Sequence, residues 1–236
     1  MAEYQRPEHR AVAAALQAMD HALLTQCRCW FGGGTEIVLD LGEYRLSKDI
    51  DFLCADADGY RELRSRAVIQ GAAALFGRGV QEARAVRADQ YGIRGIIAVQ
   101  GMELRYEIVR EARIALDGVS DTVLGVPRLS PVDRVAEKLL ANADRCQDRA
   151  TACRDAADLG MLALRRGPLP PAAWTKAERA YGSEITRKLA WVLDFLAHAE
   201  ERRAIAATLG MDPILLDAAL DALAADFQRL RPGTLR

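Results

Sequence analysis

The stretch Phe31–Phe52, FGGGTEIVLDLGEYRLSKDIDF, sets three glycines between a short apolar run and a helix-forming run, and it ends on an Asp-x-Asp. Gly32, Gly33 and Gly34 carry no Cβ, so the backbone there can turn sharply and approach a ligand closely. N–H groups at such a turn, at the positive end of a following helix, can bind phosphate oxygens. Taken alone, the triplet also reads as a plain turn. It is not a Walker-type loop, because no Gly-Lys-Ser/Thr follows, and it does not match the dinucleotide fingerprint. Asp49 and Asp51 add what the glycines lack. In a strand they project from one face, ~7 Å apart along the backbone, while Ile50 and Phe52 point into a core. Adjacent carboxylates repel unless something neutralises them. Mg²⁺ binds through one or two carboxylates plus substrate phosphates, which makes it the natural neutraliser. A bare Asp-x-Asp reads as a solvent-facing edge strand; the glycine turn upstream favours a metal site.

A third carboxylate would complete a two-metal centre, in which one ion activates an attacking oxygen and the other supports a leaving pyrophosphate. Downstream, Met102, Leu104, Tyr106 and Ile108 alternate as one apolar face, with Glu103, Arg105, Glu107 and Val109 on the other. The register is open, so either Glu103 or Glu107 could lie beside the aspartates. The apolar YEIV context of a central strand favours Glu107.

Half of the 236 residues are apolar, enough for a core without disulfide or metal staples. Lys and Arg number 32 against 33 Asp and Glu, for a net charge of −1. That balance excludes a protein held to nucleic acid by overall charge, though not a local basic groove. Cys27, Cys29, Cys54, Cys146 and Cys153 make an odd count, and no signal-peptide pattern precedes them. Reduced thiols and a cytoplasmic location are the expectation. His9, His21 and His198 show no zinc spacing with the cysteines. No apolar run approaches the ~20 residues of a membrane span.

Periodicity predicts one helix over 8–26, a strand over Cys27–Phe31 with both cysteines on one face, and a helix over Thr35–Leu41. A strand over Asp49–Cys54, a helix over Tyr60–Phe76 and strands over Ala83–Val86, Gly95–Gln100 and Met102–Val109 follow. From Pro131 the pattern is helical: an apolar face at Val132, Val135, Leu139 and Leu140, then Ala152–Leu164. The run RRGPLPPAAW (Arg165–Trp174) breaks it. A helix marked by Ile185, Leu189, Val192 and Leu196 should end near Gly210, and Asp212-Pro213 opens another. The predicted fold is α+β over 1–128, a mixed sheet with flanking helices, followed by an all-helical half over 129–236. In that half Lys138, in VAEKLLAN, could reach from a helix toward a triphosphate, and Asp155 and Asp158 share a helix face. On pattern alone, a surface lysine and two solvated acids are the better readings.

Taken together, these residues resemble the nucleotidyltransferase AbiEii/AbiGii toxin family. Its first motif matches the Gly-Gly turn and Arg45, Ser47, Asp49, Ile50, Asp51 and Phe52. YEIV resembles the strand carrying the family's third acid, SPVDRVAEKLLA its lysine motif, and RDAADLGML its Arg-Asp-x-x-Asp-Leu motif. The resemblance covers residues 10 to 165; the chain beyond carries no matching motif. It implies a polymerase β-like nucleotidyltransferase fold whose helical C-terminal part completes the active site. It also implies transfer of a nucleoside monophosphate from an NTP to an acceptor hydroxyl, with Mg²⁺. By the match Gly33, Gly34, Arg45, Ser47 and Lys138 hold the nucleotide, and Asp49, Asp51 and Glu107 bind the metal. Lys138 and Asp155 join those acids as catalytic residues. The family further implies a toxin of a toxin–antitoxin or abortive-infection system, a cognate antitoxin encoded nearby and, for some members, tRNA 3′ ends as acceptors. Two rival readings stand beside it: transfer to a small molecule such as an aminoglycoside, and a non-catalytic nucleotide-binding protein that sequesters a partner.

Overall fold

Side-chain caps and left-handed turns decide where the first elements start and stop. In the computed structural model, which describes residues 4–234 apart from 122 and 152, α1 spans Pro7–Gln17 and α2 spans His21–Gln26. The single helix predicted over 8–26 breaks because the Asp20 carboxylate accepts the Leu23 N–H at 3.0 Å and caps a second helix. The backbone at the break turns to other partners, Asp20 N–H donating to Leu75 O and Gly77 N–H to Ala18 O. β1 (Cys29–Gly32) runs directly into α3 (Gly33–Asp40), followed by β2 (Ile50–Cys54) and α4 (Ala57–Gln70). The first strand starts later than predicted, since Cys27 closes α2 and Arg28 takes φ 50°. Cys27 and Cys29 therefore do not alternate along one strand, although both are buried free thiols. The helix predicted over Tyr60–Phe76 stops at Gly71, where φ is 62°, and Gly71–Ala74 forms a 3₁₀ turn.

β3 (Gln81–Ala88), β4 (Gly92–Val99) and β5 (Met102–Arg110) form an antiparallel meander. With β6 (Gly118–Val119) and β7 (Arg128–Leu129) they complete a mixed sheet in the order β3-β4-β5-β2-β1-β7-β6. β2 lies parallel to β5 and antiparallel to β1. Its register sets Ile50 against Tyr106 and Phe52 against Ile108. Alternation sends these side chains to one face, where they are buried in a core with Leu16, Phe31, Leu63, Ile93 and Ile97. α1 and α4 pack on the strands that supply it. The intervening positions, among them Asp51 and Glu107, are left on the other face.

The sheet and its helices form one unit, the chain through Leu39 together with Ser47–Ser130. The second unit is Asp40–Leu46 with Pro131–Arg236. It contains α5 (Pro131–Arg145), α6 (Arg154–Arg166), α7 (Pro171–Tyr181), α8 (Glu184–Phe195), α9 (Ala199–Leu209) and α10 (Pro213–Leu230). The helix predicted from Ala152 begins at Arg154; Ala152 itself lies outside the described residues. One helix was predicted to reach Gly210, but His198 extends (φ −82°, ψ 121°) and divides it into α8 and α9. α10 opens as predicted, with Asp212 accepting the Ile214 N–H at 2.8 Å. α10 approaches α6 at Gly160, where a Cβ would lie 2.6 Å from the Ala219 carbonyl oxygen. The α+β expectation holds, with seven strands and ten α-helices among the described residues and every strand in the first unit. None of these helices is long and apolar enough to cross a membrane.

Candidate active site

β1, β2 and β5 are neighbours, and their register aligns Gly32 with Asp51 and Asp51 with Glu107. Glu103 pairs instead with Ala98 of β4, so only Glu107 of the two candidate acids stands beside Asp51. Gly33 opens α3 with φ 75°, a left-handed backbone that favours glycine. A Cβ placed there would lie 2.8 Å from Asp51 Oδ2. The carboxylate thus rests against the bare backbone from which the first, unpaired N–H groups of the helix emerge. A phosphate bound by those amides and a cation bound by Asp51 would share one space.

Asp49, Asp51 and Glu107 line a single cleft of about 530 Å³, together with Arg84, Arg87, Arg94 and Arg105. Asp49 has no hydrogen-bond or ion-pair partner among the described residues. Glu107 accepts from Arg94 Nε at 2.7 Å. No three His, Cys, Asp or Glu side chains stand together as a preformed metal cluster among the described residues. The oxygen donors nonetheless suit Mg²⁺, which completes its shell with waters and phosphate oxygens. Asp49 and Asp51 would hold it, and Glu107 would have to leave Arg94 to become a third ligand. Ser47 shares a hydrogen bond with Thr35 Oγ1 at 2.8 Å, and its N–H donates to His9 Nε2 at 3.3 Å. Thr35 belongs to the first turn of α3, so this bond fixes the approach to Asp49 relative to the helix that Gly33 begins.

Arg45, Lys138 and Asp155 belong to the second unit, where they join Tyr44 and Asp158 in one buried ion network that the half-buried Arg145 flanks. Arg45 grips Asp158 with two bonds, Nε to Oδ1 at 2.7 Å and Nη2 to Oδ2 at 2.8 Å, and Tyr44 Oη donates to Oδ1 at 2.6 Å. Lys138 Nζ lies 2.9 Å from Asp155 Oδ1 and 2.7 Å from Asp158 Oδ2. Arg145 closes the other side of Asp155, with Nε to Oδ2 at 2.7 Å. Burial alone would raise the Asp158 pKa, but Arg45 and Lys138 outweigh it and hold the carboxyl below its ordinary value. Asp155 is depressed likewise, by Lys138 and Arg145 against burial. Burial and the Asp158 charge push the Tyr44 phenol up, which keeps it a donor. Lys138 has its charge matched by two carboxylates within this unit. The network, with Arg134 donating to Asp40 Oδ2 at 2.8 Å, anchors Asp40–Leu46, which leads directly into Ser47.

A family model described as nucleotidyl transferase AbiEii toxin, type IV toxin–antitoxin system, matches residues 15–232. The chain belongs to the AbiEii family. It is accordingly a nucleotidyltransferase, of a family of type IV toxins. The match runs on through the last helices, where sequence reading finds no motif. No curated protein and no solved structure matches the chain.

In this AbiEii chain the structure gathers Gly33, Asp49, Asp51 and Glu107 about one cleft, and Arg45, Lys138 and Asp155 in one network of the helical unit. Sequence reading misses Tyr44 and Arg145 in the network, and it misses the cleft arginines. Arg105 carried a usable signal, standing two residues before Glu107 and so on the same strand face. Arg84 and Arg87 carried none. Three residues apart, they belong to opposite faces of a regular strand, and only a register irregularity between them brings both to the cleft.

Proposed function

We propose that this chain transfers a nucleoside monophosphate from an NTP to an acceptor hydroxyl at the cleft of Gly33, Asp49 and Asp51. The observation that supports this most is the Asp51 carboxylate resting against the Gly33 backbone, which puts a cation ligand beside phosphate-binding amides. Gly33 and Gly34 bind triphosphate oxygens through their N–H groups, and Ser47 steadies that turn through Thr35. Asp49 and Asp51 would hold Mg²⁺, and Glu107, if freed from Arg94, would be a third carboxylate. The bound cation supplies neutralisation of phosphate charge. The acceptor oxygen bonds to the α-phosphorus, and the bond from that phosphorus to the β-bridging oxygen breaks. Pyrophosphate leaves with the electron pair, and the hydroxyl proton passes to solvent. The protein contributes positioning and fixed charge, with no covalent intermediate. Arg45, Lys138 and Asp155 act within the helical unit, where their ion pairs fix the segment Asp40–Leu46. In the cell the activity is that of a toxin countered by a separately encoded antitoxin.

The test uses the full chain with α-labelled NTPs and Mg²⁺, in separate arms containing total tRNA, protein or an aminoglycoside. The labelled arm identifies the acceptor class. Asp49→Ala is expected to abolish labelling while melting at the wild-type temperature. Undiminished labelling by this variant, or no labelling in any arm, overturns the proposal.

A further inference from the structure

Glu107 stands between a carboxylate and an arginine. Its strand, β5, lies between β2 and β4, and register sets it against Asp51 on one side and Arg94 on the other. Arg94 Nε donates to Glu107 Oε1 at 2.7 Å, and Arg94 Nη1 lies 3.6 Å from Asp89 Oδ2. The guanidinium has a place built for it. The other Asp89 oxygen accepts the N–H groups of Tyr91 at 2.7 Å and Gly92 at 3.0 Å, which fixes that carboxylate in the β3–β4 hairpin. Gly92 supplies the floor: a Cβ there would lie 2.9 Å from Arg94 Nη2 and 3.0 Å from Arg94 Cζ. On the far flank register sets Arg87 against Arg94, and like charges facing each other across strands repel, which favours Arg94 toward the carboxylates. A surface ion pair alone is worth little. Here two carboxylates, a bare glycine and a like charge all select one position for the arginine. Only its Nε is used in a hydrogen bond among the described residues, so the Nη donors are left for a phosphate, whose oxygens fit the fork. An arginine keeps its charge at any working pH, so it can neutralise phosphate as a second cation would. Asp49, by contrast, has no hydrogen-bond or ion-pair partner among the described residues.

Building on the nucleotidyl-transfer reading, we propose that Arg94, held by Glu107 and Asp89, takes the place of a second metal ion, so that the cleft binds its triphosphate with a single divalent cation at Asp49 and Asp51. Glu107 then anchors the arginine and is not a metal ligand. The full chain is dialysed to equilibrium with Mn²⁺ and inorganic triphosphate, a probe that needs neither base nor acceptor. The ions retained are counted against the triphosphate retained. Wild type is expected to hold about one Mn²⁺ per bound triphosphate, and Arg94→Gln, which frees Glu107, about two, as a two-metal centre does. Arg94→Gln/Glu107→Gln should return to about one, a reversal that a merely structural role for the pair would not produce. Two ions in wild type, or no second ion in Arg94→Gln, overturns the proposal. A wild type that labels an acceptor yet retains two ions loses this proposal alone. One that retains no triphosphate loses the transfer site as well.

Discussion

At Gly33 a backbone requirement and a spatial one coincide: φ is 75°, and Asp51 occupies the place a side chain would take. A left-handed L-residue costs roughly 1–2 kcal/mol, and a methyl here would also displace the Asp51 carboxylate. Gly33→Ala is expected to lose about that much stability and to lose nucleotidyl transfer as well. Gly79→Ala is the control, because Gly79 has φ 90° with no heavy atom within 4 Å of an added Cβ. It should show a similar thermal shift with transfer retained. A Gly33→Ala enzyme as active as the Gly79→Ala one would remove the cradle from the mechanism.

Among the elements, boundaries follow whichever side chain claims the free N–H groups. Asp212 accepts from Ile214 N at 2.8 Å and Leu215 N at 3.4 Å, and Pro213 fills the first position of α10, where no N–H is needed. Asp212→Ala should therefore cost about 1 kcal/mol, read as a lower urea midpoint with an unchanged slope. No change in midpoint would mean that packing of α10 on α6 alone sets that end. The same logic accounts for the break at Asp20, another capping aspartate, which periodicity alone overrides. At His198 no side-chain cap marks the division of α8 from α9, so the apolar pattern reads through it.

For the whole molecule, Asp40–Leu46 belongs to the helical unit although its sequence neighbours belong to the sheet, and the buried network around Asp155 and Asp158 secures it there. Both carboxyls titrate below the unfolded value of about 3.9, so the unfolded chain binds more protons as pH falls through that range. Their contribution to stability is present above that value and is lost as pH drops toward the folded values. Acid titration followed by circular dichroism should show this loss in wild type. Asp158→Asn should flatten that part of the profile and lower stability at neutral pH by about 3–5 kcal/mol, since Arg45 and Lys138 remain buried with one carboxylate fewer. Wild-type stability in the variant at neutral pH would contradict the network's role.

What the sequence by itself determined is local. The glycine triplet, the alternation of Asp49, Ile50, Asp51 and Phe52, the strand of Glu107 and the capped start of α10 are each written within a few neighbouring residues, where backbone preference and period decide the outcome. The family resemblance too rests on such local motifs. What the tertiary structure alone decided is pairing. Strand register sets Glu107 and not Glu103 beside Asp51, because a strand's own pattern is the same at either register until a neighbour fixes it. A slip between Arg84 and Arg87 turns two arginines of opposite expected face toward one cleft. Lys138, Asp155 and Asp158, which pattern alone reads as solvated, are buried because partners far away in the chain, Tyr44 and Arg45 among them, satisfy their charge.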